Sequence, residues 1–401
     1  MAEPKVLSLF WEGFELHDVH ELSDEGLLLV LRAQAEPLPR CSGCGQGCAR
    51  IHETTLRRVR ERDLLGRRVW LDVPVRRVCC PRCGVRIEHI PWLAGRRALT
   101  AAMVRHVEAL VRLLPVRQVA ELLGLHWDTV KAIDKQRLHR EVTDPDRSRL
   151  RRLIMDEFAL YKGHRYATVV ACADTRQVLW VGEGRSREAI RPFFAWLGAA
   201  ACARIEAVAM DMNTAMDLEV QRHCPNAAVV YDLFHVVAKF GREVIDRVRV
   251  DQANRLRTDK PARRAIKQSR WLLLRHRDNL TDAQAVTLDD LLAANQPLFT
   301  TYLLKEQLKA LWYAPSPRAA KRRWNQWYRM ALDSGIAPVI AFARRLEKYA
   351  HGIIASARHR LNTSVLEGIN NRIKVIKRMA YGYRDSNYFF LKIRAAFPGK
   401  T

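Results

Sequence analysis

The chain has 401 residues, with 68 Lys and Arg against 43 Asp and Glu, for a formal net charge of +25. An apolar content of 48% excludes a disordered chain, and no stretch approaches the ~18 apolar residues of a membrane span. This length holds two or more domains, and the charge calls for a polyanionic partner, nucleic acid before an anionic membrane surface.

The first arm departs from the rest. Residues 1–36 carry eight acids and two bases, net −6, which leaves +31 for the remainder. Met1-Ala-Glu-Pro-Lys5 is not a basic segment followed by an apolar one, so no export signal is expected. A reducing cytosol follows, where spaced Cys bind metal more often than they pair; the nine Cys are an odd number. Residues 5–34 predict two or three strands, from runs such as Val6-Leu-Ser-Leu-Phe10 and Leu27–Leu31.

Cys41-Ser-Gly-Cys44-Gly and Cys80-Pro-Arg-Cys83-Gly are two CxxC turns with 35 residues between them. Each presents two thiolates from one side, and two such turns close a tetrahedral zinc site. The Gly after each second Cys suits the tight backbone. Strand-like Arg67–Val73 and Val75–Val78 lie between, so a zinc ribbon with structural Zn²⁺ on Cys41, Cys44, Cys80 and Cys83 is expected. Cys79 is an alternative to Cys80; Cys80 reproduces the first spacing. Cys48 reads as spare, and Cys172, Cys202 and Cys224 as core thiols.

Residues 100–114 predict a helix capped by Thr100 and stopped by Pro115. Val116–Ile133 then reads as helix, Gly124 turn, helix, with Val119, Ala120, Leu125, Val130 and Ile133 inward. This is a helix-turn-helix that would set Trp127, Asp128, Thr129 and Lys131 near a major groove, with Arg137 and Arg140 near phosphates. His126 stands where Ser or Thr usually caps the second helix, a weaker cap that Asp128 in the first turn partly offsets.

From Arg151 the texture is α/β. Leu153–Leu160, Tyr166–Cys172 and Val178–Val181 read as strands, Arg187–Ala201 as a helix, Ile205–Met210 as a strand, Asn213–His223 as a helix and Ala227–Tyr231 as a strand, which predicts a mixed sheet. Residues 233–355 are helix-like and basic, with Trp271, Trp312, Trp324 and Trp327, and residues 361–380 form a final long helix. Asp156, Asp211 and Asp232 each end an apolar run, and Glu367 sits on the late helix. Acids at the ends of buried strands are costly unless paired or bound to a cation, and several on one sheet edge make a hard-oxygen site for Mg²⁺ or Mn²⁺. Two such ions suit in-line displacement at a phosphodiester.

With these motifs the sequence resembles bacterial DDE transposases of the ISL3 insertion-sequence family. The resemblance spans nearly the whole chain: the CxxCG pair, the helix-turn-helix, Met155-Asp-Glu-Phe158, Met210-Asp211, Tyr231-Asp-Leu-Phe-His235 and, most specific, the block from Asn362 to Arg384 around Leu366-Glu-Gly-Ile-Asn-Asn-Arg-Ile-Lys374. It implies an RNase H-like core interrupted by a helical insertion. The expected domains are N-terminal strands and zinc ribbon 1–95, helix-turn-helix 96–145, core 146–236, insertion 237–355, and the rest of the core, with the Glu helix, 356–401.

The resemblance also implies a catalytic, Mg²⁺- or Mn²⁺-binding triad of Asp156, Asp211 and Glu367, with Asp232 and His235 in support. Lys374 lies two turns after Glu367, and Arg372, Lys374, Lys377 and Arg378 would run along DNA phosphates. Tyr381, Tyr383 and Tyr388 either stack on bases or pack. The implied partners are double-stranded DNA, as element ends and target, and a second copy of the chain, in the cytoplasm at the nucleoid. Two other classes keep parts of the pattern: a zinc-ribbon regulator with an inert core, and an RNase H-like nuclease without strand transfer. The intact acids oppose the first, and the two N-terminal modules with the long helical segment oppose the second.

Overall fold

A computed structural model describes residues 10–23, 26–361 and 364–400. The expected strand at Val6–Phe10 lies outside them except for Phe10, which is in a turn. The chain forms two compact units, Met1–Glu141 and Val142–Thr401.

The first unit opens with a five-stranded sheet of β1 (Phe14–Glu21), β2 (Leu27–Ala33), β3 (Ile51–Leu64), β4 (Arg67–Cys80) and β5 (Gly84–Ile87), in the order β1-β2-β4-β3 with β5 also on β4. The two strand pieces expected between the Cys turns are one continuous strand running through Pro74. Along it Val69, Leu71, Val73 and Val75 are buried, every second residue, against Trp11, Phe14, Leu29 and Leu31. Three helices follow: α1 (Ala101–Leu110), α2 (Val116–Leu123) and α3 (Trp127–Glu141). The Thr100 hydroxyl accepts from the Met103 N–H at 3.1 Å, as its capping position predicts. Helix α1 ends at Leu110, before Pro115, because residues 111–113 tighten into a turn. Met103, Val107, Val119, Ala120, Val130 and Ile133 form the core of the three helices.

The second unit is built on β6 (Arg152–Tyr161), β7 (Arg165–Cys172), β8 (Val178–Glu183), β9 (Ala207–Met210) and β10 (Ala228–Tyr231), in the order β10-β9-β6-β7-β8. Strands β6, β9 and β10 are parallel, and β7 is antiparallel to both its neighbours. Between strands lie α4 (Arg187–Leu197), α5 (Ala199–Cys202) and α6 (Thr214–His223). The single helix expected over Arg187–Ala201 is broken at Gly198, whose φ of 83° no helix can hold.

After β10 the described chain is helical to His359. It comprises α7 (Leu233–Phe240), a π-turn at Gly241–Ile245, α8 (Asp246–Arg255), α9 (Lys260–Gln268), α10 (Arg270–Leu274), α11 (Asp282–Ala294), α12 (Gln296–Ala310), α13 (Pro317–Asp333), α14 (Ala337–Glu347) and α15 (Ala350–His359). Phe240, Leu308, Trp327 and Phe342 are fully enclosed there. Lys305 is buried among them and donates to the carbonyls of Leu273 at 2.8 Å and Arg275 at 3.0 Å; burial holds its amine down at about 8. Helix α16 (Ser364–Met379) is not the last, as expected, because α17 (Ser386–Ala396) follows and packs its apolar side on the sheet.

The two faces of this sheet have different covers. Leu153, Met155, Val208, Met210 and Tyr231 face α4, α6 and the helical segment, whereas Ile154, Phe158, Ala207, Ala209 and Val230 face α16 and α17. The β10 edge is covered, and the β8 edge is paired at its start. At β8, Val178 N–H donates to Phe397 at 3.1 Å and Lys400 N–H to Thr175 at 2.8 Å. At β10, α15 comes so close that a Cβ on Gly352 would lie 2.4 Å from the Tyr231 ring, and the Trp312 indole donates to the Tyr231 carbonyl at 3.0 Å. No helix among the described residues is long and apolar enough to cross a membrane.

Candidate functional site

The strand register assembles the site. Ile154 of β6 is level with Ala209 of β9, and Tyr231 of β10 with Met210. Continued one step past β9 and β10, the parallel register sets Asp211 and Asp232 beside Asp156, which lies not at a strand end, as expected, but mid-strand, because β6 runs on to Tyr161 in pairing with β7. Their parity is that of Ile154, Ala209 and Val230, so all three belong to the face covered by α16. Apolar runs of β-branched and small residues make the strands, and each run gives way to an acid at the same level.

Asp156 is tied down twice. Its Oδ1 accepts from the Glu157 N–H at 2.7 Å, and its Oδ2 from the Asn370 side-chain amide at 2.6 Å. Burial and then the charge of Asp211 push its carboxyl up to about 6 in spite of these bonds. The His235 Nδ1 lies 2.5 Å from Oδ1 of Asp211 and 4.0 Å from Asp232, and Asp211 holds the imidazole above its ordinary range. Asp232 caps α7 by accepting from the Phe234 and His235 N–H groups, and burial raises its carboxyl.

Glu367 is exposed in the first turn of α16, three residues before Asn370 and so on the same side of the helix. Asp156, Asp211 and Glu367 do not gather as tightly as metal ligands: among the described residues only four Cys bring such atoms within 4.8 Å of one another. The donor set nevertheless fits a hard divalent cation. A buried carboxyl is forced toward its neutral form, and the Asn370 Oδ1 beside it is buried without a partner.

Helix α16 buries Leu366, Ile369 and Ile373 and exposes Arg372, Lys374 and Arg378. Lys377 is half-buried and donates to the Ala159 carbonyl of β6 at 3.2 Å. Of the three tyrosines beyond, Tyr388 is buried, Tyr383 stacks on Phe389 with centroids 4.5 Å apart, and Tyr381 is 89% exposed.

The four-cysteine group is Cys41, Cys44, Cys80 and Cys83. Gly45 and Gly84, each following a second Cys, have φ of 74° and 70°, the left-handed turn expected of them. Burial alone would raise the Cys80 thiol, but N–H groups of Arg82 and Cys83 and its thiol neighbours bring it to about 6. The hydrogen bond with Cys44, followed by burial, pushes Cys83 up to about 12. Four thiols so close do not ionise together without a cation, so the set can hold zinc. Cys79 is excluded because adjacent strand residues point to opposite faces; Cys48 is buried and donates to the Gln46 carbonyl at 3.4 Å.

In the helix pair, Gly124 takes a φ of 61° at the end of α2. The His126 Nδ1 accepts from the Asp128 N–H at 3.3 Å, so imidazole does the work of the missing hydroxyl cap. Trp127 is 46% exposed with the Lys131 amine 5.3 Å from its ring centroid, and Thr129 is half-buried. Arg137 is not available to phosphate, contrary to expectation: it is buried against Asp134 at 2.6 Å and Glu141 at 2.5 Å. Arg140 pairs with Glu108.

Residues 153–393 match the ISL3-type DDE family model described as "Transposase", and residues 88–138 the one described as "Helix-turn-helix domain of transposase family ISL3". The chain belongs to the ISL3 transposase family. It is 55% identical over 394 residues to the transposase for insertion sequence element IS1001 of Bordetella parapertussis, covering 98% of this chain and 97% of that one. It is 28% identical over 378 residues to the transposase for element IS1557 of two strains of Mycobacterium tuberculosis, covering 88% of this chain and 85% of theirs.

In this ISL3 transposase two features escaped sequence reasoning. Asn370 had a signal, since it lies one turn from Glu367 beside the apolar stripe of α16. The other had none: Tyr231 donates to the buried Asp217, whose carboxylate also lies 3.5 Å from His351 and accepts from Gln221 at 2.7 Å, a network beside the strand that delivers Asp232.

Proposed function

We propose that the chain binds the terminal inverted repeats of its own insertion sequence, cuts a phosphodiester at each element end and joins the freed 3′-OH to target DNA. The observation that carries this reading is the level set of Asp156, Asp211 and Asp232 on three parallel strands beneath the helix of Glu367. The strand order, with the second strand antiparallel, supports an RNase H-like core, and the helices between β10 and α16 its insertion. The domain limits follow that scheme: 1–95, 96–145, 146–236, 237–355 and 356–401.

Asp156, Asp211 and Glu367 are the residues that would hold Mg²⁺ or Mn²⁺. Such ions, when bound, activate the attacking oxygen and offset charge on the leaving oxygen. The chain's own groups do the positioning. Asn370 and the Glu157 N–H fix the plane of the Asp156 carboxylate; Asp232 fixes the start of α7, and His235 holds one oxygen of Asp211. Arg372, Lys374, Lys377 and Arg378 receive phosphates along α16. Trp127, Thr129 and Lys131 meet the bases of the element end, on a module that Zn²⁺ at Cys41, Cys44, Cys80 and Cys83 stiffens. Two ends must meet, which calls for at least two copies on DNA, in the cytoplasm at the nucleoid.

The test is a strand-transfer assay on DNA carrying the element end with Mg²⁺, comparing the natural chain with Asp211→Ala. Joined product from the first and not from the second is expected. Equal joining by both would remove the acids from the mechanism.

A further inference from the structure

Phe234 sits against the pattern of its helix. Val236 and Phe240 turn the apolar side of α7 inward, yet Phe234 is 70% exposed and belongs to none of the buried clusters of the unit. Its backbone is pinned, because its N–H donates to the capping carboxylate of Asp232. Its ring stands edge-on to His235, with centroids 5.5 Å apart and planes at 83°, and His235 in turn touches Asp211. A lone exposed phenyl is ordinary on a protein surface. This one projects from a fixed backbone among groups that are polar or charged: Asp232, His235 and Asp211.

A polyanion arriving there offers its phosphates to cations. Its largest flat apolar surfaces, the ones that match a phenyl ring, are the faces of its bases, and a base within a duplex stack cannot present a face. We propose that Phe234 is the platform on which one nucleobase, displaced from the duplex beside the scissile phosphate, stacks. This rests on the reading that the adjoining acids cut DNA. The cap fixes the start of the side chain before DNA arrives, so the ring offsets part of the cost of unstacking that base. Tyr381, also exposed, follows the far end of α16 from Glu367, which makes it the comparison residue.

The experiment measures binding of the full chain, without added divalent ion, to duplexes carrying the end of the element that encodes it. One nucleotide at a time near the cleavage junction is replaced by an abasic residue. For one position, the ratio of Kd on abasic to Kd on intact DNA is expected to be about 5- to 100-fold larger for the natural chain than for Phe234→Ala. Phe234→Trp should restore the ratio, and Tyr381→Ala should leave it as in the natural chain. Equal ratios for the natural chain and Phe234→Ala at every position overturn the inference, as does transfer of the effect to Tyr381→Ala. Because no cutting is involved, loss of cleavage in Mg²⁺ would instead count against the function proposed above.

Discussion

Asn370 of α16 holds Asp156 of β6 through a 2.6 Å hydrogen bond across 214 residues of sequence. It is the direct side-chain link between the helix of Glu367 and the acids of the sheet, and it fixes which way the Asp156 carboxylate faces. A hydrogen bond to a charged group contributes about 1.5–3 kcal/mol. Asn370→Ala should therefore lower cutting of an element-end substrate about 10- to 100-fold and raise the Mg²⁺ concentration for half-maximal rate. Asn370→Asp, which adds a like charge, should fall further. Unchanged Mg²⁺ dependence in the Ala variant would sink this role.

Asp156 and His235 both titrate above their ordinary values in the fold, the first at about 6. The folded state thus holds its protons more tightly, and stability falls as pH rises. The Asp156 share is complete below 3.8 and gone above about 6; the His235 share is present below 6.5 and fades as pH passes its raised value. Asp156→Asn removes the first share. In melts without added divalent ion, its advantage over the natural chain should grow by about 4–10 °C between pH 4 and 6.5 and then level off. A difference that does not vary with pH would mean that the Asp156 carboxyl is not raised.

The cysteine geometry separates ligands from bystanders. Cys80→Ser or Cys44→Ser should abolish bound zinc in metal analysis of the purified chain. Cys79→Ser should keep it, since Cys79 points away from the cluster, and so should Cys48→Ser, since Cys48 packs beside the four but is not one of the set whose sulfurs converge. Zinc retained in Cys80→Ser and lost in Cys79→Ser would reverse the ligand choice.

The exposed cations of α16 should act on DNA through salt. Each phosphate contact removed lowers the slope of log K against log salt by about 1. Lys374→Ala with Arg378→Ala should lower it by about 2. Lys377→Ala should lower it by less, because its amine is already engaged with Ala159. A slope unchanged in the double variant would take this face of α16 off the DNA.

Much of this site was legible because it is written in local signals. Apolar runs that stop at Asp156, Asp211 and Asp232 mark buried strands that carry acids, although Asp156 lies mid-strand in β6 and only the other two follow strand ends, and paired CxxC turns mark a thiolate cluster. Pairing between distant segments has no local signal, so the register that levels the three acids had to come from the structure. Arg137 looked like a phosphate contact because its composition is right; only the fold brings Asp134 and Glu141 around it. The same holds for Tyr388, a candidate for bases by type and a core residue by position. His126 was read as a weak cap because the rule counts hydroxyls and amides, and its ring nitrogen makes the bond all the same.

The borders of the second unit's sheet have a consequence for what could add to it. An unpaired strand invites a strand from a neighbour, and many proteins assemble in that way. Here the Trp312 indole and α15 stand over one border, while the segment after α17 pairs with Thr175 and Val178 at the start of the other. Addition of a neighbour's strand at the Tyr231 border is thereby blocked in this unit, and at the other border it is blocked where Val178 is already paired.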